Sequence, residues 1–137
     1  MVRGAPDPHE QSGLKSIQQL AEAQRENALD LLSELSEQPK EISQDFYTTI
    51  QESADFVANR TRNFISFSFE EQTRVVYSKK DTLVNILRQK IESFGVMVIK
   101  NNDLQTYKAR GMCLAKFPLP VIVWERVARR TVVYTFT

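Results

Sequence analysis

Leu14, Ile17, Ala21, Ala28, Leu32 and Leu35 recur at near-helical spacing among Ala, Glu and Gln, and they predict a helix from Ser12, its cap, to about Gln38. Pro39 then ends it. Phe46, Ile50, Ala54, Val57 and Ile65 fall near one face of a second helical stretch, Ser43 to Phe64, with Ser53 able to cap its second part. Ser68-Phe69-Glu70-Glu71 matches a capping box, which predicts a short helix to about Tyr77. The clearest pattern is Leu83, Ile86, Leu87, Ile91 and Phe94, a helix capped by Asp81 and closed by Gly95.

After Gly95 the period changes. Val96-Met97-Val98-Ile99 is too short and too β-branched for a helix and predicts a buried strand. Asn101-Asn102-Asp103 marks a turn, and the segment ending Ala109-Arg110-Gly111-Met112-Cys113-Leu114 predicts a second strand. Pro118 and Pro120 lead into a third, Val121-Ile122-Val123-Trp124, for which a proline at the start suggests a sheet edge. Thr131 to Thr137 favours strand on propensity alone. The expected class is α+β: a helical N-terminal half packed on a small sheet.

Residues 1–11, with two prolines and almost nothing apolar, are expected to form a disordered lead. Residues 12–53 then form a helical linker region, and 54–137 a domain. At 137 residues the chain has room for one domain and a tail, and no apolar run approaches the ~20 residues that a membrane helix needs. The single cysteine excludes an internal disulfide, and the first residues lack a secretory core, so a cytoplasmic protein is expected.

Charge is divided between the halves. Residues 1–70 carry 6 basic and 12 acidic side chains, and residues 71–137 carry 12 and 5, so that −6 faces +7. Either the halves neutralise one another across an interface, or the second presents a basic surface to an acidic partner. Arg126, Arg129 and Arg130, near Tyr134 and Phe136, form a basic cluster too short for a broad phosphate-binding face, and direct nucleic-acid contact is not expected. The paired acids Glu70 and Glu71 are explained by the helix start. Cys113 is expected to be a small buried apolar residue. His9 is the sole histidine and falls in the lead, and no spacing of His, Cys, Asp and Glu builds a metal site. No catalytic or metal-binding residue is thus assigned. The apolar face Leu14, Ile17, Leu32 and Leu35 either packs on the rest of the domain or meets a partner helix in an oligomer.

From Ala54 onward the chain resembles the region just upstream of the active site in the ImmA/IrrE family of zinc metallopeptidases, also known as the DUF955 proteins. The resemblance rests on an ordered series: Val57-Ala58-Asn59-Arg60, Phe69-Glu70-Glu71-Gln72, Leu87-Arg88-Gln89-Lys90-Ile91-Glu92-Ser93-Phe94-Gly95-Val96-Met97-Val98, Ala109-Arg110-Gly111-Met112 and Pro120-Val121-Ile122-Val123. Ala128-Arg129-Arg130-Thr131 and Phe136-Thr137 complete it. It implies the upstream part of a zincin-like domain, with residues 127–137 as the first turns of a helix that goes on to His-Glu-x-x-His. That motif supplies two zinc ligands and the glutamate base. The sequence stops at Thr137, about where the motif is expected, which implies truncation and an inactive chain. Zinc is implied only for a complete family member. By the same resemblance, Val121, Ile122 and Val123 are the candidate substrate-cleft strand. The implied partners are a helix-turn-helix repressor of a mobile element and a catalytic half encoded downstream. The alternative is a non-enzymatic interaction module that binds a repressor or self-associates through its N-terminal helix.

Overall fold

The computed structural model describes residues 7–76, 80–125 and 133–136. The protein is α+β, with its helices preceding a small sheet. The contacts divide the chain into two compact units, one of residues 1–40 with 96–137 and the other of residues 41–95. The sequence had suggested a division at 53/54 instead.

In the first unit α1 spans Pro8–Glu34. Its cap is Asp7, not Ser12: the Asp7 carboxylate accepts from the Glu10 amide at 2.8 Å while the Glu10 carboxylate reaches back to the Asp7 amide at 3.3 Å. A proline in the first turn loses nothing, since its missing N–H would have no helical partner there. Residues 8–11 are therefore helical, and of the expected lead 1–6 lie outside the described residues. The helix stops short of Gln38 because Ser36 adopts a left-handed φ of 57° and the Glu37 amide folds back to the Leu32 carbonyl at 2.8 Å.

Strands β1 (Met97–Lys100), β2 (Gly111–Leu114), β3 (Val121–Trp124) and β4 (Val133–Phe136) form one sheet in the order β1-β3-β2-β4. β3 runs parallel to β1 and antiparallel to β2, and β4 runs parallel to β2. Two expectations are corrected here. β3 is interior rather than an edge: Pro120 stands outside the ladder, where its carbonyl accepts the Met97 amide at 2.8 Å and its missing N–H costs nothing. Residues 133–136 are strand, as their β-branched composition favours, and not the start of a helix. Leu14, Ile17 and Ala21 of α1 pack with Ile99, Leu104, Ala109, Met112, Leu114, Val121 and Val123 as the core. The turn expected at 101–103 is the start of a 3-10 segment, Asn102–Tyr107. Gly13 lies where the Tyr107 ring docks: a Cβ there would fall 2.0 Å from it, which explains a glycine inside a helix despite its poor propensity.

The second unit holds α2 (Ala54–Phe64), α3 (Phe69–Val76) and α4 (Lys80–Ser93). Ser53 caps α2 through the Phe56 amide at 3.2 Å, and Ser68 caps α3 through the Glu71 amide at 3.1 Å. Asp81 is the second residue of α4 rather than its cap. Gly95 closes α4 at a φ of 96°, the conformation that only glycine adopts freely. The stretch before α2 is a 3-10 turn, Gln44–Phe46, followed by irregular chain, so Ile50 is 96% exposed instead of lying on a helical face. Phe46, Phe64 and Phe94 form this unit's aromatic nucleus, with ring centroids 5.1 to 5.6 Å apart.

Candidate functional site

The two candidate surfaces meet different fates. On α1 the buried residues Glu10, Gly13, Leu14, Ile17, Ala21 and Arg25 follow helical spacing and face the strands, so Leu14 and Ile17 belong to the domain's own core. Farther along the same stripe, Leu32 is half-buried and Leu35 is 61% exposed, with Leu31 beside it at 55%. Packing and exposure thus divide one apolar stripe between its two ends. On the sheet, Val121 and Val123 are core residues and β3 is hydrogen-bonded along both sides, which leaves no free edge for a substrate at Val121, Ile122 or Val123.

Arg25 occupies the stripe position after Ala21, and sequence reasoning passed over it. Only 7% exposed, it donates from Nη2 to the Pro118 carbonyl at 2.6 Å and from Nε to the Leu119 carbonyl at 3.1 Å. It thereby fastens the β2–β3 connection, where Leu119 has a left-handed φ of 63°. The signal for it was a lone arginine on an otherwise apolar face, where a buried guanidinium needs acceptors. Along the same face of α1 the acidic and basic halves of the sequence pair: Glu10 with Lys108 at 3.1 Å and Glu22 with Lys116 at 3.0 Å. The Lys116 ammonium holds the Glu22 carboxyl below its usual range. In the second unit Glu71 pairs with Lys90 at 3.4 Å, a pair that lies wholly within the basic half. Part of the charge division is accordingly internal neutralisation.

Glu52 is the second residue missed. Its carboxylate accepts from both Arg60 Nη atoms at 2.7 and 3.1 Å, from the Thr48 hydroxyl at 2.5 Å and from the Thr49 amide at 2.9 Å. Arg60 above all, then Thr48 and Thr49, lower its pKa to about 2. A depressed carboxylate stabilises the fold above its unfolded pKa of ~4.3 and loses that contribution as pH falls through the folded value. An NMR titration of Glu52 is expected to show a midpoint near 2, and Arg60→Gln is expected to move it toward the ordinary glutamate value.

Among the described residues the groups capable of chemistry remain apart. His9 lies exposed in the first turn of α1, not in a disordered lead, with its ring 5.9 Å from that of Tyr107. Cys113 is half-buried, and burial pushes its thiol pKa up, away from the nucleophilic thiolate. Glu70 lies 3.9 Å from Arg74 on the exposed face of α3. Arg126, Arg129 and Arg130 lie outside the described residues. Zinc sites of the implied kind take three or four His, Cys, Asp or Glu ligands, and among the described residues no such group of three could hold a metal ion. The described residues do not fit zinc. No described helix is long and apolar enough to cross a membrane. No protein-family model matches the chain, and neither a curated protein nor a solved structure matches it.

Proposed function

We infer that this chain is the non-catalytic N-terminal part of an ImmA/IrrE-type metallopeptidase, a folded portion that does not hydrolyse peptide bonds by itself. What supports the reading is where the resembling motifs fall. The Ile91-to-Val98 run is a helix end, a left-handed glycine and a strand; Arg110-Gly111 opens β2; Pro120 immediately precedes β3. The resembling motifs thus fall at the junctions of successive elements. The route to hydrolysis in that family needs a zinc-bound water and a carboxylate base, and the sequence's one histidine cannot furnish the two histidine ligands of that motif. Incubating the full chain with zinc and a helix-turn-helix repressor is expected to leave the repressor intact and no zinc retained after dialysis. Cleavage that a chelator abolishes would overturn the reading.

A second reading is a non-enzymatic interaction module that self-associates through α1, and the exposure of Leu31 and Leu35 favours it. Sedimentation would then give twice the monomer mass, and serine at both positions would restore the monomer. A monomeric wild-type protein at high micromolar concentration excludes this second reading.

A further inference from the structure

We propose that the second unit carries a binding site for a single oxyanion, a phosphate or carboxylate group, in the open pocket that α2 and the start of α3 enclose. The pocket has a volume of about 580 Å³, and its lining includes Asn59, Arg62, Asn63, Ser68, Phe69 and Glu71. Positions 59, 62 and 63 are spaced i, i+3 and i+4, so α2 presents two carboxamides and a guanidinium on one face. The chain reversal that closes the pocket is held by other groups: the Phe67 amide donates to the Arg62 carbonyl at 2.9 Å, and the Ser66 amide to the Asn63 carbonyl at 3.2 Å.

The orphaned group is Arg62 Nη1. Nη2 donates to the Gln72 side chain at 2.7 Å, whereas Nη1 is buried and has no hydrogen-bond partner among the described residues. Buried donors without acceptors are rare, and a guanidinium held only for structure normally has its N–H groups satisfied. Here the guanidinium carbon lies 5.2 Å from the Phe69 ring centroid and 6.0 Å from that of Phe67. Phe69 is itself 71% exposed, so the ring beside the guanidinium stands at the solvent edge of the pocket. An acceptor oxygen in the pocket would find Nη1 as a free donor, with the Asn59 and Asn63 side chains in the same lining.

The local charge suits an anion. Glu71 is the acid in the lining, and it is engaged by Lys90 at 3.4 Å, with the same ammonium bonded to the Ser66 carbonyl. Arg62, Lys90 and Glu71 leave one net positive charge, and the amino end of α3 adds its partial positive charge at Ser68 and Phe69. One guanidinium and two amides match one oxyanion. A nucleic-acid backbone would need a broader basic face.

The test is an NMR titration of the full chain with inorganic phosphate and, separately, with acetate, at fixed ionic strength with chloride as the control. Saturable shifts of the Asn59 and Asn63 side-chain amides and of Arg62 Nε–H are expected with one or both anions. Saturation by phosphate alone assigns a phosphoryl group, and by acetate alone a carboxylate. Arg62→Gln is expected to weaken binding at least tenfold. Because Arg62 also bonds Gln72, the exposed positions supply an independent check: the double variant Asn59→Ala, Asn63→Ala should weaken binding several-fold with helical circular dichroism unchanged. Absence of saturable shifts with both anions, or unchanged binding in both variants, would overturn the site.

Discussion

Replacing Leu14 by alanine is expected to destabilise the first unit by about 3 kcal/mol, within the 2–5 kcal/mol range for leucine truncation in a close-packed core. The side chain is 1% exposed and belongs to the cluster that joins α1 to β2 and β3. Trp124, the single tryptophan, lies on β3, so its fluorescence during urea unfolding reports on this unit. Leu35→Ala, at the exposed end of the same stripe, is expected to change stability by no more than about 0.5 kcal/mol. Equal effects at the two positions would contradict the division of the stripe into a core end and an exposed end.

Arg25→Met is expected to cost a similar amount, about 3 kcal/mol. Hydrogen bonds from a charged donor contribute roughly 1.5–3 kcal/mol each, and the variant strands the Pro118 and Leu119 carbonyls that Arg25 now satisfies. The methionine stem retains the packing, so the loss measures the bonds. The ion pair with Glu26 at 2.9 Å adds little, because Glu26 is 66% exposed and such pairs are worth under ~1 kcal/mol. Arg25→Lys is expected to recover only part of the loss, since an ammonium cannot match the two-pronged geometry of the guanidinium. Urea unfolding followed through Trp124 measures both variants. A lysine variant as stable as the wild type would show that charge, and not the fork, is what holds the β2–β3 connection.

Helices and strands were legible where local rules act alone. Ser53 and Ser68 cap because a hydroxyl three residues before a free amide has one good use, and Gly95 closes α4 because the left-handed turn requires it. Tertiary facts were not legible. Asp7 displaced Ser12 as the cap of α1 because Glu10 completes the reciprocal pair, and burial of Glu10 beside Lys108 then extends the core to the helix start. The central place of β3 depended on which strands would pair with it, and Pro120 misled because its lost donor lies just outside the ladder. Ile50 looked helical by spacing, yet Glu52 satisfies Thr48 and Thr49 in a loop. Arg25, Glu52 and Arg62 could not be ranked above other charged residues, since what distinguishes them is burial and partners contributed from elsewhere in each unit.

Sequencing the DNA that follows the Thr137 codon decides between keeping and dropping the proposal that the chain is the upstream part of an ImmA/IrrE-type zinc peptidase. Translated in all three frames, that DNA is predicted to encode His-Glu-x-x-His close downstream, in whichever frame continues the family pattern. No such motif in any frame would contradict the claim.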